Sequence, residues 1–359
     1  MQLVTKLSPR CLSSTSLRAG CRSYAIVGTT TFIGKPPKLP ANADTPAPPL
    51  PTPSGLNKRI LSALDGKSPS LPTLIDQYTD HSGTVLDVSL PYESRPSSQR
   101  RTKFDASDDS DVIMVAHAVQ NGAQHKVTVC SGFALDVARE EEQPSEETLI
   151  VTCAHTLEEI RHSPVLTTLP PSPILTTSSS SKSGSLIISG TSESLAFHPV
   201  TSVPSALHRA DLLLLSTSKS AVSSGIRTLP ISPYPAQPGA SIRAHFIVDK
   251  QPNEEGWRPW IGGTWSKWVK GTVLGYRDFA GREAHPGTYD ALTHLLFKPL
   301  PTPGSSGGPI IDEESGAVVG VVLGSRMDNS IEGVRGWGVP SETIFEMFSL
   351  PGLQLKNKS

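Results

Sequence analysis

From Val112 onward the chain is a succession of short, β-branched apolar runs: "VIMVAHAV", "HKVTVCSGFALDV", "TLIVTCAHTL", "GSLIISG", "ADLLLLS", "SIRAHFIV", "KGTVLGY", "THLLFK", "AVVGVVLG" and "GWGVP". Runs of this length, bounded by Gly, Ser, Pro and Asn, read as strands rather than helices, and their number predicts an all-β barrel or sandwich. A break rich in Ser and Pro, "STSKSAVSSGIRTLPISPYPAQPG", divides them into two sets of similar size, which points to two β-barrels. The 33 prolines and the serine tracts agree with loops and strands. "AREEEQPSEE" and "TTLPPSPILTTSSSSKSG" read as solvated surface loops. A short closing helix is predicted over Ser341 to Phe348, with Ser341 as its N-cap.

The N-terminal part is of another kind. "MQLVTKLSPRCLSSTSLRAGCRSYA" carries Lys6, Arg10, Arg18 and Arg22, and the first acid is Asp44. Basic, serine-rich and without a continuous apolar core, residues 1–24 read as a mitochondrial transit peptide, and "RSYA" suggests cleavage after Tyr24. An ordinary basic N-terminus is the alternative. Residues 25–104 read as a Pro-rich tether with one short helix over "LNKRILSAL". Residues 105–350 are expected to form the folded domain, barrel one over about 105–220 and barrel two over about 225–345, with 351–359 as a tail. A net charge of −1 offers no attraction to nucleic acid or anionic membrane. No apolar run approaches the roughly 20 residues that span a bilayer.

Within "PTPGSSGGPIIDEESGAVVGVVLGS" the Gly-Ser composition suits a flexible linker, but a core strand follows directly. A loop that presents a serine for nucleophilic attack is the other reading, and it needs a base and an orienting acid. His155 follows small residues at the end of "TLIVTCAHTL", and Asp211 abuts four leucines in "HRADLLLLS". A carboxylate beside such an apolar run is costly unless paired. Either residue alone has an ordinary structural explanation. Together with the loop they form a constellation.

That constellation resembles the chymotrypsin-like serine proteases, in which the order is His…Asp…Ser. "VTCAH" resembles V-T-A-A-H, and "GSSGGP" resembles G-[DN]-S-G-G-P, a register that makes Ser306 rather than Ser305 the nucleophile. "CSGFAL", "ADLLLL", "KGTVLGY" and "GWGVPSETI" are similar to segments of the HtrA/DegP-type branch. The resemblance covers roughly residues 110–350 and implies the two-barrel chymotrypsin-like (trypsin-like) fold with a short C-terminal helix. It implies a serine endopeptidase acting on polypeptides through an acyl-enzyme, with His155 as base, Asp211 as orienting acid, and an oxyanion hole of the Gly304 and Ser306 amides. It implies a primary specificity pocket with Leu300 at its floor and Leu323, Gly324 and Ser325 along its wall, suited to aliphatic side chains. No metal or cofactor is implied, and homo-oligomerisation stays open.

Departures from the family are also visible. The remainder after the closing helix is too short for a PDZ module. Cys130 and Cys153 have no family precedent as a disulfide and read as small buried hydrophobes in reduced form. "GWRPWIGGTWSKWVKG" holds four of the chain's 5 tryptophans; these either stack on a barrel or form a binding lip or self-association face. A catalytically silent relative that binds proteins as a chaperone or scaffold is the alternative function. Protein quality control in mitochondria is the setting that the address implies for an active enzyme.

Overall fold

A computed structural model describes residues 54–64, 68–104, 111–137, 147–167, 181–191, 194–218 and 225–350. The proposed transit peptide, the first part of the tether, most of the two low-complexity loops and the tail lie outside these residues. No helix among the described residues is long and apolar enough to cross a membrane.

Six strands close barrel one: β1 (Ile113–Asn121), β2 (Gln124–Leu135), β3 (Glu147–Cys153), β4 (Lys182–Gly190), β5 (Leu195–Leu207) and β6 (Leu212–Ser218). They pair in the order β1-β4-β5-β6-β3-β2, and β1–β2 pairing closes the ring. The short strand β7 (Thr228–Leu229) adds to β2 in parallel. After β7 come β8 (Ser241–Val248), β9 (Arg258–Pro259), β10 (Trp265–Arg277), β11 (Glu283–Ala284), β12 (His294–Lys298), β13 (Pro309–Asp312), β14 (Val318–Asn329) and β15 (Gly333–Pro340). Barrel two runs β10-β12-β15-β14-β13-β8 and closes through β10–β8; β9 and β11 pair with β10. The molecule has the all-β, two-barrel chymotrypsin-like fold.

The apolar runs do not alternate with polar residues because both faces of several strands are buried. Along β1, Met114, Ala116 and Ala118 enter one core cluster while Ile113, Val115 and Val119 enter another. In β6, Leu212 and Leu214 face the first cluster, and Leu213 and Leu215 the second. A strand with period-two side chains and two covered faces must be apolar throughout. Trp260 and Trp268 are buried, each edge-on to His245 at ring distances of 5.2 and 5.1 Å. At least these two tryptophans therefore stack on barrel two.

Part of the second cluster is covered by helices. The sequence places one helix in the tether, and the structure has α1 (Gly55–Ala63) there, its N-cap Ser54 accepting from the Asn57 amide. It adds a second, α2 (Leu71–Asp80), capped by Ser70 and buried along Leu71, Leu74, Ile75 and Tyr78. From α2 the chain crosses both barrels. Leu86 bridges to Phe348, the Glu93 amide donates to the Ile231 carbonyl, and Arg100 holds Glu93 through two hydrogen bonds of 3.1 and 2.8 Å. Residues 71–104 thus pack on the fold rather than trail from it. The last helix is shorter than expected, Glu342–Phe345. Ser341 does not cap it with its side chain, because the buried hydroxyl donates instead to the Ser232 carbonyl at 2.7 Å.

Candidate active site

β3 ends at Cys153, and the chain turns into α3 (His155–Arg161), with His155 at its first residue and its side chain partly exposed. Asp211 sits where a short 3-10 turn, His208–Ala210, meets β6. It is the one non-glycine residue at positive φ (54°) among those described, a conformation that Asp tolerates better than most. This backbone places the carboxylate under three donors. Oδ1 accepts the Ala154 amide at 3.0 Å and the His155 amide at 2.7 Å, and Oδ2 accepts from His155 Nδ1 at 2.6 Å. The carboxylate therefore holds the imidazole in one orientation through Nδ1 and leaves Nε2 free of Asp211. Burial alone would lower the His155 pKa, but the hydrogen bond to Asp211 and its charge outweigh that, so the pKa is raised above the ordinary histidine value.

The glycine loop carries two serines with different fates. Ser305 is fully buried, and its hydroxyl accepts the Ile247 amide at 3.0 Å and exchanges a bond with Thr302 Oγ1 at 2.9 Å. Ser306 is half-buried, and its hydroxyl donates to the Leu323 carbonyl at 2.9 Å. Among the described residues neither the Gly304 nor the Ser306 amide donates to another group of the chain, so both remain available to a bound oxyanion. Gly304 has φ 87°, a conformation open to glycine. Gly307 has a second reason to lack a side chain, since a Cβ there would lie 2.2 Å from the Ser131 carbonyl oxygen and 2.5 Å from Thr152 Oγ1. The loop of barrel two thus presses directly on β2 and β3 of barrel one.

Ser131 holds that contact. Its amide donates to the Ser306 carbonyl at 2.8 Å, and its hydroxyl donates to the Gly304 carbonyl at 3.0 Å. In the sequence Ser131 is one small residue inside "CSGFAL", and nothing in its spacing announces a role. Cys153 Sγ lies 3.6 Å from His155 Nε2, and Cys130 Sγ lies 3.2 Å from both Thr152 Oγ1 and Thr156 Oγ1. Both cysteines are free and buried.

Leu323, Gly324 and Ser325 line a cavity of about 290 Å³ together with Arg209, Ala210, Asp211, His294, Arg326 and Trp337. Leu300, expected at the floor of the primary pocket, is not brought to this cavity; it follows Pro299 and is 49% exposed. Asp328, the acid nearest in sequence to the cavity wall, is held by Arg277 through two hydrogen bonds of 2.9 Å.

The sequence matches the family model of the trypsin-like peptidase domain over residues 130–321. No curated protein matches it. Among solved structures it is similar to the active form of the Rv3671c protease from M. tuberculosis, at 17% identity and TM-score 0.38, covering 74% of this chain and 93% of that one. It is also similar to the MamO protease domain from Magnetospirillum magneticum, at 16% identity and TM-score 0.35, covering 64% and 93%. Deg5 is a third, at 15% identity and TM-score 0.39, covering 66% and 87%.

Proposed function

This chain belongs to the trypsin-like peptidase family and is a peptidase; from that premise we propose that it is a serine endopeptidase working through His155, Asp211 and Ser306. The observation that carries the reading is the His155–Asp211 pair at 2.6 Å, with the carboxylate locked by two further amides. A serine hydroxyl near neutral pH needs such an oriented base. The difference between the two loop serines supports the choice of Ser306, because Ser305 spends its hydroxyl on the scaffold.

Ser306 Oγ first leaves the Leu323 carbonyl and turns toward His155 Nε2. As Oγ attacks the scissile carbonyl carbon, its proton passes to Nε2, and the carbonyl oxygen becomes an oxyanion facing the Gly304 and Ser306 amides. Each such donor is worth a few kcal/mol of transition-state stabilisation. The imidazolium then gives its proton to the leaving amine, which yields the acyl-enzyme. Water attacks this ester as His155 takes its proton; the C–Oγ bond then breaks, His155 returns the proton to Ser306 Oγ, and the released acid ionises to a carboxylate. Asp211 fixes the tautomer and offsets the imidazolium charge throughout.

Labelling with a fluorophosphonate probe tests the assignment. The native protein is expected to react, Ser306→Ala to lose both labelling and peptide cleavage, and Ser305→Ala to keep labelling at a reduced stability. Labelling that survives Ser306→Ala and vanishes with Ser305→Ala overturns the register; a protein that never labels points to the binding-scaffold alternative. The basic, acid-free start supports mitochondrial import, with a mature N-terminus at Ala25 and a role in quality control. N-terminal sequencing of protein from the native cell checks this, and an intact Met1 on cytosolic material rejects it.

A further inference from the structure

The cavity beside the serine loop is cationic. Arg209 lines it from the turn that precedes Asp211, and Arg326 lines it from β14, three residues beyond Leu323. Arg326 is exposed, its guanidinium lies 4.6 Å over the Trp337 ring, and no carboxylate pairs with it among the described residues. Arg209 is also exposed and reaches Glu346, a surface pair whose exchange for another carboxylate costs little. The acids near the cavity are already committed. Asp211 accepts three donors, and the Asp328 side chain, 4% exposed, is shared by Arg277 and Arg335. His294 stacks on Trp337 at a ring distance of 4.3 Å. Burial and then the charge of Arg326 depress its pKa to about 4, so it adds no charge near neutral pH.

The backbone beside the cavity is open to a peptide. Val322 closes its hydrogen bonds with Gly307 and Gly308. Beyond it, β14 pairs with β15 on one edge, through Gly324↔Trp337, Ser325↔Gly336 and Arg326↔Arg335. The opposite edge has no partner strand among the described residues, since β13 pairs with β14 no further than Val321. An extended segment can add to such an edge through main-chain hydrogen bonds, with specificity left to the side chains that flank it. At about 3.3 Å per residue, Arg326 lies roughly 10 Å along the strand from Leu323, whose carbonyl now holds Ser306. That is the reach of a side chain two to four residues from the bond being cut.

We propose that this cavity is a subsite for an acidic side chain, held between the Arg209 and Arg326 guanidinium groups, and that the substrates are polypeptides carrying Asp or Glu within four residues of the cleaved bond. The inference rests on the serine-endopeptidase reading and adds the substrate class to it. Trp337 backs the Arg326 guanidinium and limits its freedom, which favours a paired carboxylate geometry.

Digestion of a random decapeptide library decides it, each preference being read as the ratio of Asp and Glu to Asn and Gln within one digest, so that a less active variant still reports. The native enzyme is expected to enrich acidic residues about fivefold or more at one position within four of the cut, a typical size for a charge-assisted pair. The enrichment falls as salt is raised. Arg326→Glu reverses it toward Lys and Arg, Arg209→Glu weakens it, and Arg326→Lys retains part of it. Cleavage without acidic enrichment, or enrichment that survives both charge reversals, overturns the subsite and leaves the endopeptidase reading standing. Failure of the native protein both to label with a fluorophosphonate and to cleave the library overturns both.

Discussion

His155 is useful to a nucleophile only when neutral, and its surroundings set where that occurs. Because Asp211 raises the His155 pKa despite burial, the acid limb of kcat/KM is expected above the ordinary histidine value of about 6.5, with activity rising as pH climbs through it. Asp211→Asn removes the charge that raises the pKa and allows the wrong tautomer. The limb then moves to lower pH, and kcat drops by about 10⁴. A pH–rate profile of the two proteins reads both effects, and a limb unmoved by the substitution rejects His155 as the titrating base. Glycines of the same loop separate conformational from steric need. Gly307→Ala meets the Ser131 carbonyl at 2.2 Å at φ 81° and is expected to cost more than about 2 kcal/mol, beyond the left-handed penalty alone. Gly304→Ala meets nothing within 4 Å and is expected to cost only that penalty, about 1–2 kcal/mol. Thermal unfolding of the pair checks the order.

Elements that bury both faces advertise themselves in sequence, whereas elements that bury one do not. β1 and β6 are legible as "VIMVAHAV" and "ADLLLLS" because each alternate residue enters a different core cluster. α2 is harder to read: "LPTLIDQYTD" has a proline, two threonines and two acids over ten residues, so its composition resembles the loops around it. The helical signal is confined to the spacing of Leu71, Leu74, Ile75 and Tyr78, one face of less than three turns, and to the Ser70 cap. The site divides in the same way. His155, Asp211 and Ser306 stand out because each breaks an apolar or glycine-rich context. Arg209 and Arg326 are surface arginines with no periodicity, and only the fold brings them to one cavity. If α2 is a structural part of barrel one, Leu74→Ala should cost about 2–5 kcal/mol. For a domain of this size that is a loss of roughly 5–15 °C in melting temperature. Labelling of Ser306 well below that temperature should be unchanged, and a melting temperature equal to the parent's removes α2 from the stabilising core.

On the proposed assignment the reacting groups are divided between the barrels, with His155 and Asp211 on barrel one and Ser306 and the Gly304 and Ser306 amides on barrel two. The chemistry therefore depends on how the two are held together at the site. Ser131 does this at the point of use: a β2 residue in barrel one fastens both carbonyls that flank the oxyanion amides, Gly304 through its hydroxyl at 3.0 Å and Ser306 through its amide at 2.8 Å. A substitution can remove the first bond and leave the second. In Ser131→Ala the Gly304 carbonyl loses a buried donor, and a net hydrogen bond of this kind is worth about 1 kcal/mol. The Gly304 peptide then becomes freer to turn its amide away from the oxyanion. Since the bond orients a group that binds only the developing charge, the loss should fall on kcat, by about five- to tenfold, with KM nearly constant. Ser131→Thr restores a hydroxyl and should recover part of the rate if its added methyl fits beside Gly308, whose own Cβ position lies 3.2 Å from that of Ser131. Steady-state kinetics on one peptide, with the melting temperature measured alongside, separates the possibilities. A fall in stability with kcat intact would make Ser131 an ordinary packing residue, and a rise in KM alone would place its effect on substrate binding instead of on the oxyanion loop.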